Sequence, residues 1–181
     1  FFIPPLLIMV AMPGMMFSQE SWMKEANPKR GAFWNNQIWY VETALTSETS
    51  APGYATLKRL TLEGKGDPET VIELPIANPW LLADKDRMWI ISSSAVGFYR
   101  NGNISIVSEE KTLGDISRPF FYRGSPAVVE ERPTGLTVMT FVGNNWQKEF
   151  LFMVGLPTKQ ERIDNILQVL SYKKTLHFFL K

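Results

Sequence analysis

The chain has 181 residues, enough to bury a sizeable core as one domain, and with 45% hydrophobic against 20% charged residues it is not a disordered composition. Nineteen basic and eighteen acidic residues nearly cancel, and no block of like charge exceeds three residues, so nothing forms a track for nucleic acid. Cysteine is absent, which excludes disulfides, cysteine-ligated zinc and thiol catalysis.

Residues 1–17, FFIPPLLIMVAMPGMMF, carry no charge. A membrane-spanning helix needs roughly 20 apolar residues, with roughly 17 as a lower limit. The apolar core of a signal peptide is shorter, roughly 7–15 residues, and follows a basic segment. The stretch is read as a signal or membrane anchor, with an apolar arm packed on the domain as the alternative. Either export reading places the rest of the chain outside the cytoplasm, as a secreted, periplasmic or anchored protein. It also makes residues 1–17 a point of membrane contact. Residues 18–31 form a polar linker.

From residue 32 the chain reads as short strands and turns. AFWNNQIWYVE is a hairpin with Asn35 and Asn36 in the turn, because Asn tolerates left-handed dihedrals. A Ser-, Thr-, Gly- and Pro-rich loop follows, then YATLKRLTLEG and TVIELP as two more strands. Residues 80–83 and MWIISSS flank a turn at residues 84–87, and VGFYR and NISIVSE flank Asn101-Gly102. Residues 111–118 cross to a third unit. That unit reads PAVVEE, a Pro-Thr-Gly turn, LTVMTFV, a turn at Asn144 and Asn145, and WQKEFLFMV. Near the end, Thr158 and Glu161 match a capping box, and Ile163, Ile166, Leu167 and Leu170 match a helical face. VLSYKKTLHFF nevertheless fits a hairpin, and the hairpin is preferred.

That preference rests on self-similarity. AFWNNQIWYV, LLADKDRMWII, VVEERPTGLTVM and VLSYKKTLHFF share one pattern, with Ile38, Met88, Leu136 and Leu176 as equivalent positions separated by 50, 48 and 40 residues. Four strands every 40–50 residues resembles the β-propeller repeat architecture, over residues 32–181. The fold class implied is all-β: antiparallel four-stranded repeats of a partial β-propeller, incomplete at the C-terminus. The alternative is a β-sandwich, which also uses many short strands but predicts no such repeat. No named propeller family is matched, because the Gly-His and Trp-Asp signature, paired kelch glycines and Asp boxes are missing. With three and a half units, the first and last sheets are expected to expose apolar faces around Trp34, Trp39, Leu176 and Phe178, and so to aggregate or oligomerise.

Groups that carry chemistry are sparse. The single histidine, His177, lies in an apolar strand and reads as a strand residue rather than a general base. Asp84 and Asp86 occupy a hairpin turn, where Asp bonds its own backbone. No phosphate-binding glycine loop, nucleophile elbow, metal-ligand series or cofactor motif is present, so no cofactor or metal is assigned. Asn103-Ile104-Ser105 is a glycosylation sequon. Trp39 and Trp89 occupy equivalent positions and read as packing between units, while Trp80 and Trp146 sit beside turns as candidate binding aromatics.

One segment, RPFFYRGSP at residues 118–126, joins the second and third units, where a propeller connection crosses the end of the central channel. Arg118, Tyr122 and Arg123 there offer guanidinium forks and a phenol to a polar or anionic ligand, or to a protein. The leading expectation is an exported or tethered binding module without chemistry of its own, and whether the chain is an enzyme stays open. The alternative is a hydrolase or lyase whose active site lies partly in missing units, and a third is a purely structural repeat.

Overall fold

The computed structural model describes residues 30–43, 55–61, 67–108, 113–133, 135–152, 163, 166–172 and 175–180. Residues 1–29 lie outside these, and so does most of the stretch carrying the helix alternative. Among the described residues the regular elements are all β-strands, and every sheet is antiparallel. The first sheet runs β1 (Ala32–Trp34), β2 (Gln37–Thr43), β3 (Ala55–Thr61), β4 (Glu69–Leu74). The second runs β5 (Trp80–Ala83), β6 (Met88–Ile91), β7 (Val96–Arg100), β8 (Asn103–Ser108). The third runs β9 (Phe120–Tyr122), β10 (Ser125–Arg132), β11 (Gly135–Val142), β12 (Asn145–Phe152), and the fourth pairs β13 (Ile166–Tyr172) with β14 (Thr175–Leu180). The capping-box region therefore leads into a hairpin, not a helix.

Local chemistry makes the turns. Asn35-Asn36, Asn101-Gly102, Arg123-Gly124 and Gly143-Asn144 each place two successive residues at positive φ, the geometry that suits the twist of a two-residue hairpin. The turn between β11 and β12 thus begins one residue earlier than the sequence reading, and Asn145 instead opens β12, donating from Nδ2 to the Gly143 carbonyl at 3.3 Å. The turn at residues 84–87 is built differently. Asp84 Oδ1 accepts the backbone N–H groups of Asp86 and Arg87 at 2.7 and 2.9 Å, and its Oδ2 accepts the Trp89 indole at 3.0 Å.

The repeated hairpin register is real. Each of Ile38, Met88, Leu136 and Leu176 sits one pair inside its turn, facing Phe33, Ala83, Glu131 and Ser171. Their places in the sheets differ. Ile38, Met88 and Leu176 lie on the second strand of their sheets, whereas Leu136 lies on the third. The reason is β9, which falls inside the segment read as a connector. This first strand of the third sheet runs along β10 in two pieces. The Ser117 N–H donates to the Val129 carbonyl at 2.9 Å and Ile116 bridges Glu130. Pairing resumes at Phe120 opposite Ala127. Between the two pieces stands Pro119, which has no N–H to give to a ladder.

Three cores separate the sheets. Trp39, Val41, Leu57 and Leu74 of the first sheet meet Leu81, Met88, Ile90 and Tyr99 of the second. Ile91, Val96 and half-buried Trp89 of the second meet Val128, Met139 and Phe141 of the third. Ala127, Val129, Leu136 and Val138 of the third meet Ile166 and Val169 of the fourth. MWII is apolar throughout because Met88 and Ile90 enter one core while Trp89 and Ile91 enter the next. A fully buried side chain of this size stabilises by about 1.5–3 kcal/mol, so covering both faces of a sheet supplies most of the drive to stack.

The tryptophans follow that stacking. Trp39 lies 5.3 Å from Tyr99 across the first core, and Trp89 lies 6.2 Å from Phe141 across the second. Trp39 is buried, so it is not part of an exposed terminal face as the sequence reading had it, and Trp34, Leu176 and Phe178 are half-buried. The open face of the fourth sheet carries Leu170, Tyr172 and Phe179, with His177 exposed beside them. Trp146 is also buried, 5.3 Å from Phe141, and is a core residue rather than a binding aromatic.

Candidate functional site

The first strands of the sheets gather at one place. β5 packs beside β1 and β2, and β13 beside β9. Two cavities lie along this line. The larger, about 600 Å³, is bounded by residues that precede the first strands: Arg30 before β1, Asn78 before β5, Asp115 before β9 and Ile163 before β13. Trp80 and Glu131 also line it. The smaller, about 400 Å³, is bounded by the first strands themselves, with Phe33 from β1, Leu82 from β5, Phe121 from β9, and Leu170 and Ser171 from β13.

In the larger cavity a cation and two carboxylates face one space. The Arg30 guanidinium stands over the Trp80 ring, 5.0 Å from its centroid, and donates to the Asn78 carbonyl. Asn78 presents that carbonyl from a left-handed backbone, φ 47°. Burial pushes the Arg30 guanidinium below its ordinary value, because loss of water disfavours its charged form. Glu131 Oε2 accepts the Ile163 N–H at 3.2 Å, and the Glu131 N–H donates to the Asp115 carbonyl at 2.9 Å. These two contacts tie the approaches of the third and fourth sheets together.

The smaller cavity is lined mostly by apolar residues but presents more polar than apolar surface, and among the described residues its wall holds one charged group, Arg118. Arg118 is exposed and immediately precedes the Pro119 break in the first strand of the third sheet. Its own carbonyl accepts the Ser117 hydroxyl at 3.0 Å, and the same Ser117 Oγ accepts the Val129 N–H at 3.0 Å. The backbone at the break is therefore held, and Arg118 lines the cavity there.

The three residues singled out in the sequence do not form one cluster. Arg118 faces the smaller cavity. Tyr122 is buried in the core between the third and fourth sheets. Arg123 occupies the β9–β10 turn, with its guanidinium 5.0 Å from the Tyr122 ring centroid and 3.8 Å from Glu149 on β12. Tyr122 and Arg123 act together as a local stack, and neither lines either of these two cavities.

Arg30, Asp115 and Glu131 were not singled out in the sequence. Arg30 sits in what reads as a polar linker, Asp115 in what reads as a crossing segment, and Glu130-Glu131 read as a solvated turn or strand end, whereas Glu130 is buried. Trp80, read in the sequence as a candidate binding aromatic beside a turn, is half-buried at the wall of the larger cavity. No family model matches the chain, and no curated protein matches it either.

Proposed function

We propose that the chain is a propeller-type binding module, exported or tethered through residues 1–17, which receives a ligand along the line where its first strands meet and carries out no chemistry itself. The observation that supports this most is the shared cavity: four different sheets each give their first strand to its wall. A sandwich buries its strands face to face and has no reason to bring the first strand of each sheet to one point. Ligand sites favour concave, largely apolar walls with a few placed polar groups, and cavities of about 300–1,000 Å³. Both cavities fall in that range.

A thermal-shift screen of small polar and anionic compounds on the full chain tests the reading. Ligand at about 100 times its Kd adds about 2.7 kcal/mol, which moves the Tm of a domain of this size by several degrees. Hits should lose their effect in Ala83→Trp or Ser171→Trp, which fill the smaller cavity, or in Trp80→Ala, which opens the larger. Hits unaffected by all three overturn it. Fusing residues 1–29 ahead of a reporter that is active only outside the cytoplasm tests export separately, and an inactive reporter removes the tethered part.

A second reading has one observation in its favour. Asp115 and Glu131 line the same cavity, and a carboxylate pair is what a hydrolase or lyase of this architecture would use for acid–base work. Glu131 is already engaged by the Ile163 N–H, which favours a structural role for it. Hydrolysis or elimination lost in both Asp115→Asn and Glu131→Gln, with stability kept, would establish this reading over the first.

A further inference from the structure

We infer that the smaller cavity is a site for a small amphipathic carboxylate, its acid group on Arg118 and its body against Phe33, Leu82, Phe121 and Leu170. This deepens the binding-module reading and rests on it. Charge complementarity carries it. Among the described residues Arg118 is the one charged residue on a wall that otherwise combines apolar side chains with polar surface, Gln168 and Ser171 included, and no described acidic residue of that wall offsets it. A guanidinium presents a planar fork that matches a carboxylate with two parallel hydrogen bonds, and it holds its charge at any physiological pH. Phe33 and Leu170 are respectively 59% and 45% exposed, an unfavourable state for large apolar groups that a ligand body relieves. The break at Pro119 supplies the position: an uninterrupted first strand would pair through this point, whereas here pairing stops on both sides of Arg118.

Three probes of one body length separate the parts of this inference: octanoate, octanol and octylammonium, each titrated calorimetrically into the full chain below its micellar concentration. Octanoate should bind, octanol about tenfold more weakly, and octylammonium weakest, since a charge-assisted hydrogen bond is worth about a factor of ten or more. Arg118→Gln should cut octanoate affinity about tenfold and leave octanol unchanged. Arg118→Lys should restore part of the loss. Ser171→Trp should abolish binding of both. Urea midpoints of the variants show that the fold is kept, because Arg118 and Ser171 are exposed. Equal binding of octanoate and octanol, unmoved by Arg118→Gln but lost in Ser171→Trp, would overturn the carboxylate assignment and leave the cavity as a neutral apolar site. Binding of none of the probes would overturn the assignment and the smaller cavity's place in the proposed function together.

Discussion

The third and fourth sheets are built from the same hairpin and end in opposite situations. VVEERPTGLTVM and VLSYKKTLHFF share turn length and register, with Leu136 and Leu176 in matching places. Yet Leu136 to Phe141 are all buried, while Thr175, His177 and Phe179 alternate out to solvent. Among the described residues the third sheet lies between two cores and the fourth contributes to one. A hairpin pattern therefore specifies pairing, and the number of neighbouring sheets decides how much of it is buried.

The largest effect should come from truncating equivalent apolar groups on either side of that contrast. Met139 is 1% exposed in the third sheet, and Met139→Ala should cost about 2–5 kcal/mol by leaving a cavity. Phe179 is 48% exposed, and Phe179→Ala should cost less than about 1 kcal/mol. Urea midpoints at unchanged slope give both numbers. Similar losses would mean that the fourth sheet is covered on both faces.

Polar groups sharpen the same contrast. Glu130 of β10 is buried, its Oε1 accepting the Gly114 N–H at 3.1 Å and its Oε2 accepting from Arg132 Nε at 2.7 Å. Glu130→Ala strands the Gly114 N–H and loosens the approach to β9, for a loss of about 1–3 kcal/mol. Hydrogen exchange at Gly114 and at the amides of 115–117 should accelerate with it, and unchanged exchange there would assign the loss to packing alone.

Next comes a stabilising change. Thr137 and His177 hold the same hairpin position, facing Glu130 and Leu170. Thr137 is fully buried and its Oγ1 has no hydrogen-bond partner. Replacing it by valine keeps the shape and removes the unpaired hydroxyl, so Thr137→Val should stabilise by about 1 kcal/mol. His177→Val, on the exposed face, should change the urea midpoint little. A destabilised Thr137→Val would show that a buried water serves the hydroxyl.

These contrasts also explain what could be read in advance. The all-β class, the four hairpins and their register were legible, because turn residues such as Asn35-Asn36 and Asn101-Gly102 punctuate apolar runs and act locally. The stacking was legible in part, since MWII makes sense only with cover on both faces. β9 was not, because three residues behind a proline read as a connector, and only pairing with β10 makes them a strand. Arg118, Tyr122 and Arg123 were grouped by nearness in sequence, but the strand separates them: Arg118 lines the smaller cavity and Tyr122 enters a core. The larger cavity was invisible, because Arg30, Asn78, Asp115 and Ile163 are brought together only by the convergence of separate sheets.

The smallest expected effect comes from the counterpart of the buried Glu130 pair. Arg59 on β3 donates to Glu69 on β4 through Nε at 2.7 Å and Nη2 at 2.9 Å. Glu69 is 59% exposed against 5% for Glu130. The hydrogen bonds from Arg59 hold the Glu69 carboxyl below its ordinary value of 4.5, since they favour the charged form. A lowered carboxyl contributes stability that is fully present above the unfolded-state value and is lost as pH falls through the lower folded value. The contribution is therefore intact at neutral pH and fades only in the acid range. Water and salt compete freely at this rim, so Glu69→Gln should leave the urea midpoint at pH 7 nearly unmoved. The side-chain titration is the sensitive readout: carboxyl NMR shifts of Glu69 should show a midpoint below 4.5 that returns toward it in Arg59→Ala or at high salt. A midpoint unmoved by Arg59→Ala would mean that the pair is not held in solution, and that the first sheet's outer strands meet through backbone bonds alone.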